Sequence, residues 1–145
     1  MNVPDAQLKA FVVDSGLVSR KDVEAAEKAA KEKGKKLSEL LVSQGTISDD
    51  DLRRLQAHIL GIPYISLQGL KIDFSVLSLI PEPIARTHNV VAFKKGEDNL
   101  EIAMLDTNDL EALNFIKKKV GLKILPRLTD TASMKTALLQ YQKTL

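Results

Sequence analysis

The sequence contains no cysteine and no tryptophan, two histidines, four phenylalanines and two tyrosines in 145 residues. Without cysteine there is no disulfide scaffold, no thiolate nucleophile and no Cys-based zinc site. So few rings give no stacking platform for single-stranded nucleic acid. The apolar runs fall far short of the roughly 20 residues that span a bilayer as a helix. The opening stretch MNVPDAQLKAFVV carries Asp5 and a single early lysine, which is not the pattern of a signal peptide. Charge of one sign is also lacking: 21 Lys plus Arg against 19 Asp plus Glu leave +2, too little to draw the chain toward nucleic acid. What is present is 44% hydrophobic residues, enough for a folded core of Leu, Ile, Val and Ala. The expectation is a soluble cytoplasmic protein of one ordinary domain or two small ones.

The first sixty residues read as short amphipathic helices. Leu8, Phe11 and Val12 share a face before Gly16; Val23, Ala26 and Ala30 share one before Gly34. Leu37, Leu40 and Leu41 precede Gly45, and Leu52, Leu55, Ile59 and Leu60 run to Gly61 and Pro63. Ser19 with Asp22, and Ser48 with Asp51, are helix-start signals. A shift of 29 residues carries Leu8 onto Leu37, Val13 onto Val42, Gly16 onto Gly45, Ser19 onto Ser48 and Asp22 onto Asp51. The four helices are therefore two copies of one two-helix corner, and one copy alone could hardly bury its apolar face. The corner mimics a DNA-binding motif, but Asp49, Asp50 and Asp51 at a helix start suit the helix dipole and repel phosphate.

The texture changes near residue 62. A strand is expected over 62–67, a short helix within 70–80 capped by Asp73, and another opened by Pro83. Residues 89–105 read as a hairpin, with Val90, Val91 and Phe93 on one arm. Gly96, Asp98 and Asn99 form the turn, and Leu100, Ile102 and Met104 alternate on the return. Asp106–Asn108 are expected to cap a helix whose Leu110, Leu113, Phe115 and Ile116 face inward, ending at Gly121. A strand over 122–128 and a last helix from Thr129 or Asp130 complete the pattern. The fold class is α+β: a helical module of two tandem repeats over 1–61, then a small α/β subdomain over 62–145 with an antiparallel hairpin and packed helices.

The search for reaction chemistry is negative. Gly34 with Lys35 and Lys36 has neither the spacing nor the hydroxyl of a phosphate loop. His58 and His88 are not spaced as metal ligands, and no metal or catalytic residue is expected. Asp106, between a strand and a helix, reads as a polar cap, while Glu82, Arg86 and Asp109 are available for charged contacts. Two basic clusters remain. Lys31, Lys33, Lys35 and Lys36 surround Gly34; Lys117, Lys118, Lys119, Lys123 and Arg127 surround Gly121. Each is a solvated face or a site for an acidic or phosphate-bearing partner.

The doubled corner from Leu8 to Ile59 combines with four further stretches. These are GlyIleProTyr (61–64), LeuIleProGluProIleAlaArg (79–86), AlaMetLeuAspThrAsnAspLeuGluAlaLeu (103–113) and the ending from Gly121 to Tyr141. In that order they resemble the N-terminal domain of the traffic ATPases that power type II secretion and type IV pilus assembly. One version of that domain, MshEN, binds cyclic di-GMP. The resemblance implies a non-catalytic accessory domain whose ATPase machinery lies in downstream domains. It implies that the domain docks the motor on an inner-membrane or cytoplasmic assembly protein, peripheral to the inner membrane, with no membrane insertion and no nucleic acid polymer as partner. The alternative it implies is sensing of cyclic di-GMP, the only cofactor in view; a third reading is packing against the motor alone.

The family's nucleotide motif opens Arg-Leu-Gly in each copy, with Arg for phosphate or guanine and Gly for close backbone approach. Here the openings read Gln7-Leu8-Lys9 and Lys36-Leu37-Ser38, and the closing Gln is replaced by Ala30 and Ile59. The residues carried over to a nucleotide site are Gln7, Leu8, Lys36 and Leu37. Lys36 can meet a phosphate as a point charge, without the two-pronged geometry of arginine.

Overall fold

The structure is a computed structural model and describes residues 3–143. The chain divides into two compact units, Met1–Gly61 and Ile62–Leu145.

The first unit holds α1 (Asp5–Ser15), α2 (Arg20–Lys33), α3 (Leu37–Ser43) and α4 (Asp49–Leu60). The repeat is real at the level of backbone geometry. Gly16 and Gly45 both turn left-handed, at φ 75° and 72°. Their N–H groups bond the carbonyls of Val13 and Val42 at 3.2 and 2.9 Å. A side chain there would meet the Cβ penalty that glycine avoids. Ser19 Oγ accepts the Asp22 N–H at 3.2 Å, and Ser48 Oγ accepts the Asp51 N–H at 3.0 Å. Each caps the second helix of its copy by satisfying one of the amide donors left open at a helix start. Leu8, Val12, Val23, Ala26, Leu37, Leu40 and Leu41 form the core, with Val18 and Ile47 buried at corresponding places just after each corner.

The second unit runs β1 (Tyr64–Ile65), α5 (Phe74–Leu77), α6 (Glu82–His88), β2 (Val90–Lys95) and β3 (Asn99–Met104). It continues with α7 (Leu110–Val120), β4 (Lys123–Thr129), α8 (Thr131–Leu139) and a closing 3-10 turn, Gln140–Lys143. The sheet order is β1-β4-β3-β2. The expected hairpin is the antiparallel β2–β3 pair, with a register irregularity between Ala92 and Lys94. β3 and β4 are parallel, joined through α7 as a parallel pair requires. Val90, Val91, Ala92, Leu100, Ile102, Ala103 and Met104 are fully buried, and Ile116, Met134 and Ala137 join them from the helices.

Two element boundaries differ from expectation. The strand expected over 62–67 is only two residues long, paired in parallel with β4. Pro63 has no N–H to donate, and the Leu67 N–H is taken by the buried Ser133 Oγ at 2.9 Å rather than by a strand. The short helix expected within 70–80 is α5, and Asp73 caps it as expected, its Oδ1 accepting the Ser75 N–H at 3.2 Å. The backbone before it is held by the Gln140 amide, which accepts from the Ile72 N–H at 2.8 Å and donates to the Leu70 carbonyl at 2.9 Å. The cap expected at Asp106–Asn108 falls one residue later, where Asp109 Oδ1 accepts the Ala112 N–H at 3.1 Å, and Leu110 and Phe115 are exposed rather than inward. Asp106 instead closes the turn before it, accepting the Asn108 N–H at 2.8 Å.

Tyr141 pins the last turn onto this unit. Its hydroxyl lies 2.7 Å from the Ile80 carbonyl and 3.2 Å from that of Leu77. Burial above all, then the Glu82 carboxylate, pushes the phenol up to about 12, against the opposing pull of Arg86.

Candidate functional site

The residues carried over to a nucleotide site come from two elements of the helical unit. Gln7 and Leu8 lie in the first turn of α1; Lys36 is the residue before α3 and Leu37 its first. They are distant in sequence, but the structure brings their segments together. Asp5 Oδ2 accepts the Leu37 N–H at 3.2 Å, joining the start of α1 to the start of α3. Lys36 itself makes no side-chain cap on α3, so the donor at that helix start is met by the carboxylate of the other copy.

The four residues divide by exposure. Gln7 and Lys36 are exposed, whereas Leu8 and Leu37 are buried in the helical core. The leucines therefore fix the backbone of each opening, and the polar pair faces outward. Lys31, Lys33 and Lys35 are exposed beside Lys36, around the left-handed Gly34 at the end of α2. Four lysines over six positions make a strongly positive corner, and lysine near a helix C-terminus also complements the dipole.

The replaced motif positions are legible in the geometry. Lys9 reaches from α1 to α2, where its Nζ pairs with Glu27 Oε1 at 3.2 Å. Ala30 is buried, and Ile59 packs against the helical core from α4. Arg53 pairs with Asp50 at 2.7 Å across the first turns of α4. His58 stands on α4 edge-on to Phe11, ring centroids 5.6 Å apart, a packing role at the rim of the core.

In the second unit, Glu82 and Arg86 pair at 2.7 Å on α6. His88 Nδ1 lies 2.6 Å from Asp109 Oδ2, so one carboxylate caps α7 and ties it to the end of α6. In the sequence 21 positions separate the two residues, and nothing local pairs them. Arg127 and Glu101 pair across β4 and β3 at 3.2 Å. Leu110 and Phe115 of α7 are large exposed apolar side chains, followed by exposed Lys117, Lys118 and Lys119. No group of three or more His, Asp or Glu converges as a metal site among the described residues. No helix among them is long and apolar enough to cross a membrane.

Comparison with known proteins gives the family. The sequence pattern of the MshEN domain matches residues 60–145. The type IV pilus assembly ATPase PilB of Myxococcus xanthus is 24% identical over 135 residues, 93% of this chain. PilB of Thermus thermophilus is 25% identical over 143 residues, 97% of this chain. The chain spans only 24% and 16% of those two proteins. A solved structure of MshE with cdg is 27% identical, with a TM-score of 0.71, covering 92% of this chain and 97% of that one. The N-terminal domain of XpsE shares the fold, with a TM-score of 0.64 at 17% identity and coverage of 97% and 98%. The chain belongs to the MshEN domain family, and is an N-terminal domain of the kind carried by the type IV pilus and type II secretion ATPases.

Proposed function

We propose that this chain is a non-catalytic regulatory module of a pilus assembly or secretion ATPase, and that its helical unit takes cyclic di-GMP. The observation that carries the reading is the likeness to MshE, solved with cdg, over 92% of this chain. The geometry is compatible with it. A ligand with two identical halves suits a receptor built from two copies, and the Asp5–Leu37 bond draws the two opening segments together. Lys36 and its neighbours Lys31, Lys33 and Lys35 supply the positive charge a phosphate requires. Leu8 and Leu37 hold the two backbones in place from inside the core, and Gln7 offers an amide for a base or sugar edge.

Replacement of the motif's arginines sets the strength. Lysine gives a point charge without a guanidinium fork, so binding at micromolar rather than nanomolar concentration is expected. Isothermal titration of cyclic di-GMP into the wild-type domain and Lys36→Ala tests the reading. Micromolar binding by the wild type that weakens roughly tenfold or more in the variant supports it. No heat and no thermal shift at ligand concentrations up to the millimolar range removes it.

A second reading is favoured by the outer face of α7. Leu110 is 66% exposed and Phe115 40% exposed, beside the lysine run. Such residues suit docking on a membrane-associated assembly protein, with the module cytoplasmic and held at the inner membrane through that partner. Co-sedimentation with inner-membrane vesicles, lost in Phe115→Glu, tests it. Sedimentation unchanged by the substitution counts against this face.

A further inference from the structure

The charge of the sheet unit is divided between its two ends. β2 finishes where β3 begins, in the register Lys95 to Leu100, and β4 begins beside β3, with Lys123 opposite Asn99. The Lys123 N–H donates to the Asp98 carbonyl at 3.0 Å, which ties the hairpin turn to the start of β4. α7 runs back from the end of β3 to the start of β4, as a parallel crossover must, so its last turn reaches the same end. Three segments thus bring Lys94, Lys95, Lys117, Lys118, Lys119 and Lys123 to one end of the unit, all exposed. The carboxylates of the hairpin are Glu97, Asp98 and Glu101, and Glu101 pairs with Arg127 at 3.2 Å and Lys94 at 3.9 Å. Among the described residues no carboxylate pairs with the other five lysines. The opposite end, where β3 and β4 finish, carries Asp109, Glu111 and Asp130.

We propose that this basic end adsorbs directly to an anionic phospholipid surface, without insertion. The proposal goes beyond both readings above, since it requires neither a nucleotide nor a partner protein. The chemistry of the charges favours a lipid surface over a folded acidic partner. The exposed cations are lysines, point charges on flexible stems, and the guanidinium that could grip a fixed carboxylate, that of Arg127, already pairs with Glu101. Coming from three segments across one end, the lysines act through their summed field. Such charges add up against a fluid layer of phosphates that moves to meet them, each lysine near the surface strengthening partition about fivefold. The same field turns the acidic end away, so the polarity of the unit sets its orientation on the surface.

The test is co-sedimentation of the chain with protein-free vesicles, of phosphatidylcholine alone or with about one-third phosphatidylglycerol. Wild type should bind only the anionic vesicles, and raising the salt from about 50 to about 500 mM should release it as the Debye length shrinks. Lys117→Gln/Lys118→Gln/Lys119→Gln should weaken partition about a hundredfold, and Lys95→Gln/Lys123→Gln, on other segments, about twentyfold. The first variant removes charges that also suit a helix C-terminus, so each is checked for its native melting transition, and the second decides if the first does not fold. Lys21→Gln/Lys71→Gln/Lys135→Gln removes the same charge from exposed positions elsewhere and should bind as the wild type does. No binding of wild type to anionic vesicles, or equal losses in the two triple variants, overturns the proposal. So does capture of an acidic protein through this end without binding to protein-free vesicles. Each of these results leaves the nucleotide reading standing, because that reading is tested by cyclic di-GMP at the helical unit.

Discussion

The two units of this chain are stabilised by different means. In the sheet unit, β2, β3 and β4 are bonded along their lengths, and seven side chains of β2 and β3 are wholly buried between helices. Among the described residues of the helical unit no backbone ladder crosses from element to element. Side-chain packing joins its helices, and the Asp5–Leu37 bond and the Lys9–Glu27 pair are among the polar links. The helical unit also carries the positive corner around Gly34 and the duplicated openings. The contrast suggests a division of labour familiar in physical terms. Packed helices adjust by small sliding movements, whereas a central strand cannot shift without breaking its register.

The largest expected effects probe that contrast directly. Ile102→Ala in β3 and Leu41→Ala in α3 each remove a fully buried aliphatic side chain. Each should cost about 2–5 kcal/mol, read from denaturant titration and from amide exchange resolved by unit. The account places the slowest exchange in β3 and faster exchange in the helical unit. The reverse order would break the comparison.

Next in size is Tyr141→Phe. It leaves the Leu77 and Ile80 carbonyls without their hydroxyl donor and should cost about 1–3 kcal/mol. The phenol is raised from 10.0 to about 12, and a raised pKa stabilises the fold while the group is protonated. Its contribution is therefore complete below pH 10 and lost as pH rises toward about 12. Denaturant midpoints of wild type and Tyr141→Phe should converge over that window. A constant difference from pH 8 to 12 would contradict the assigned cause.

Smaller effects sharpen the comparison between the two copies. Gly16→Ala and Gly45→Ala force a side chain into left-handed backbone and should each cost about 1–2 kcal/mol. Ser19→Ala and Ser48→Ala each remove one cap, at about 1 kcal/mol. Thermal melts should give near-equal losses within each pair. A large loss in one copy and none in the other would mean that the duplication is no longer structural.

Much of this was legible in the sequence because it is local. The glycine stops, serine caps and apolar faces of the first sixty residues each act within a few positions, so the repeat and its corners could be read directly. The hairpin was legible for the same reason, its alternation and turn residues lying side by side. What escaped were pairings across long separations. The truncation of β1 depends on Ser133, 66 residues away from Leu67. The late start of α7 reflects Asp109 serving both Ala112 and His88. For the candidate site, the buried Leu37 followed from helix phase, whereas Lys36 is the extended residue before α3 rather than part of it. The Asp5 bond to Leu37 and the Lys9–Glu27 pair needed the fold, since each joins different helices.

The most direct measurement is a two-dimensional amide NMR titration of the domain with cyclic di-GMP. The account predicts saturable shift changes at residues 7–9 and 31–38 in the helical unit, with β2, β3 and β4 left in place. Unchanged spectra, or changes centred on the sheet unit, would contradict it.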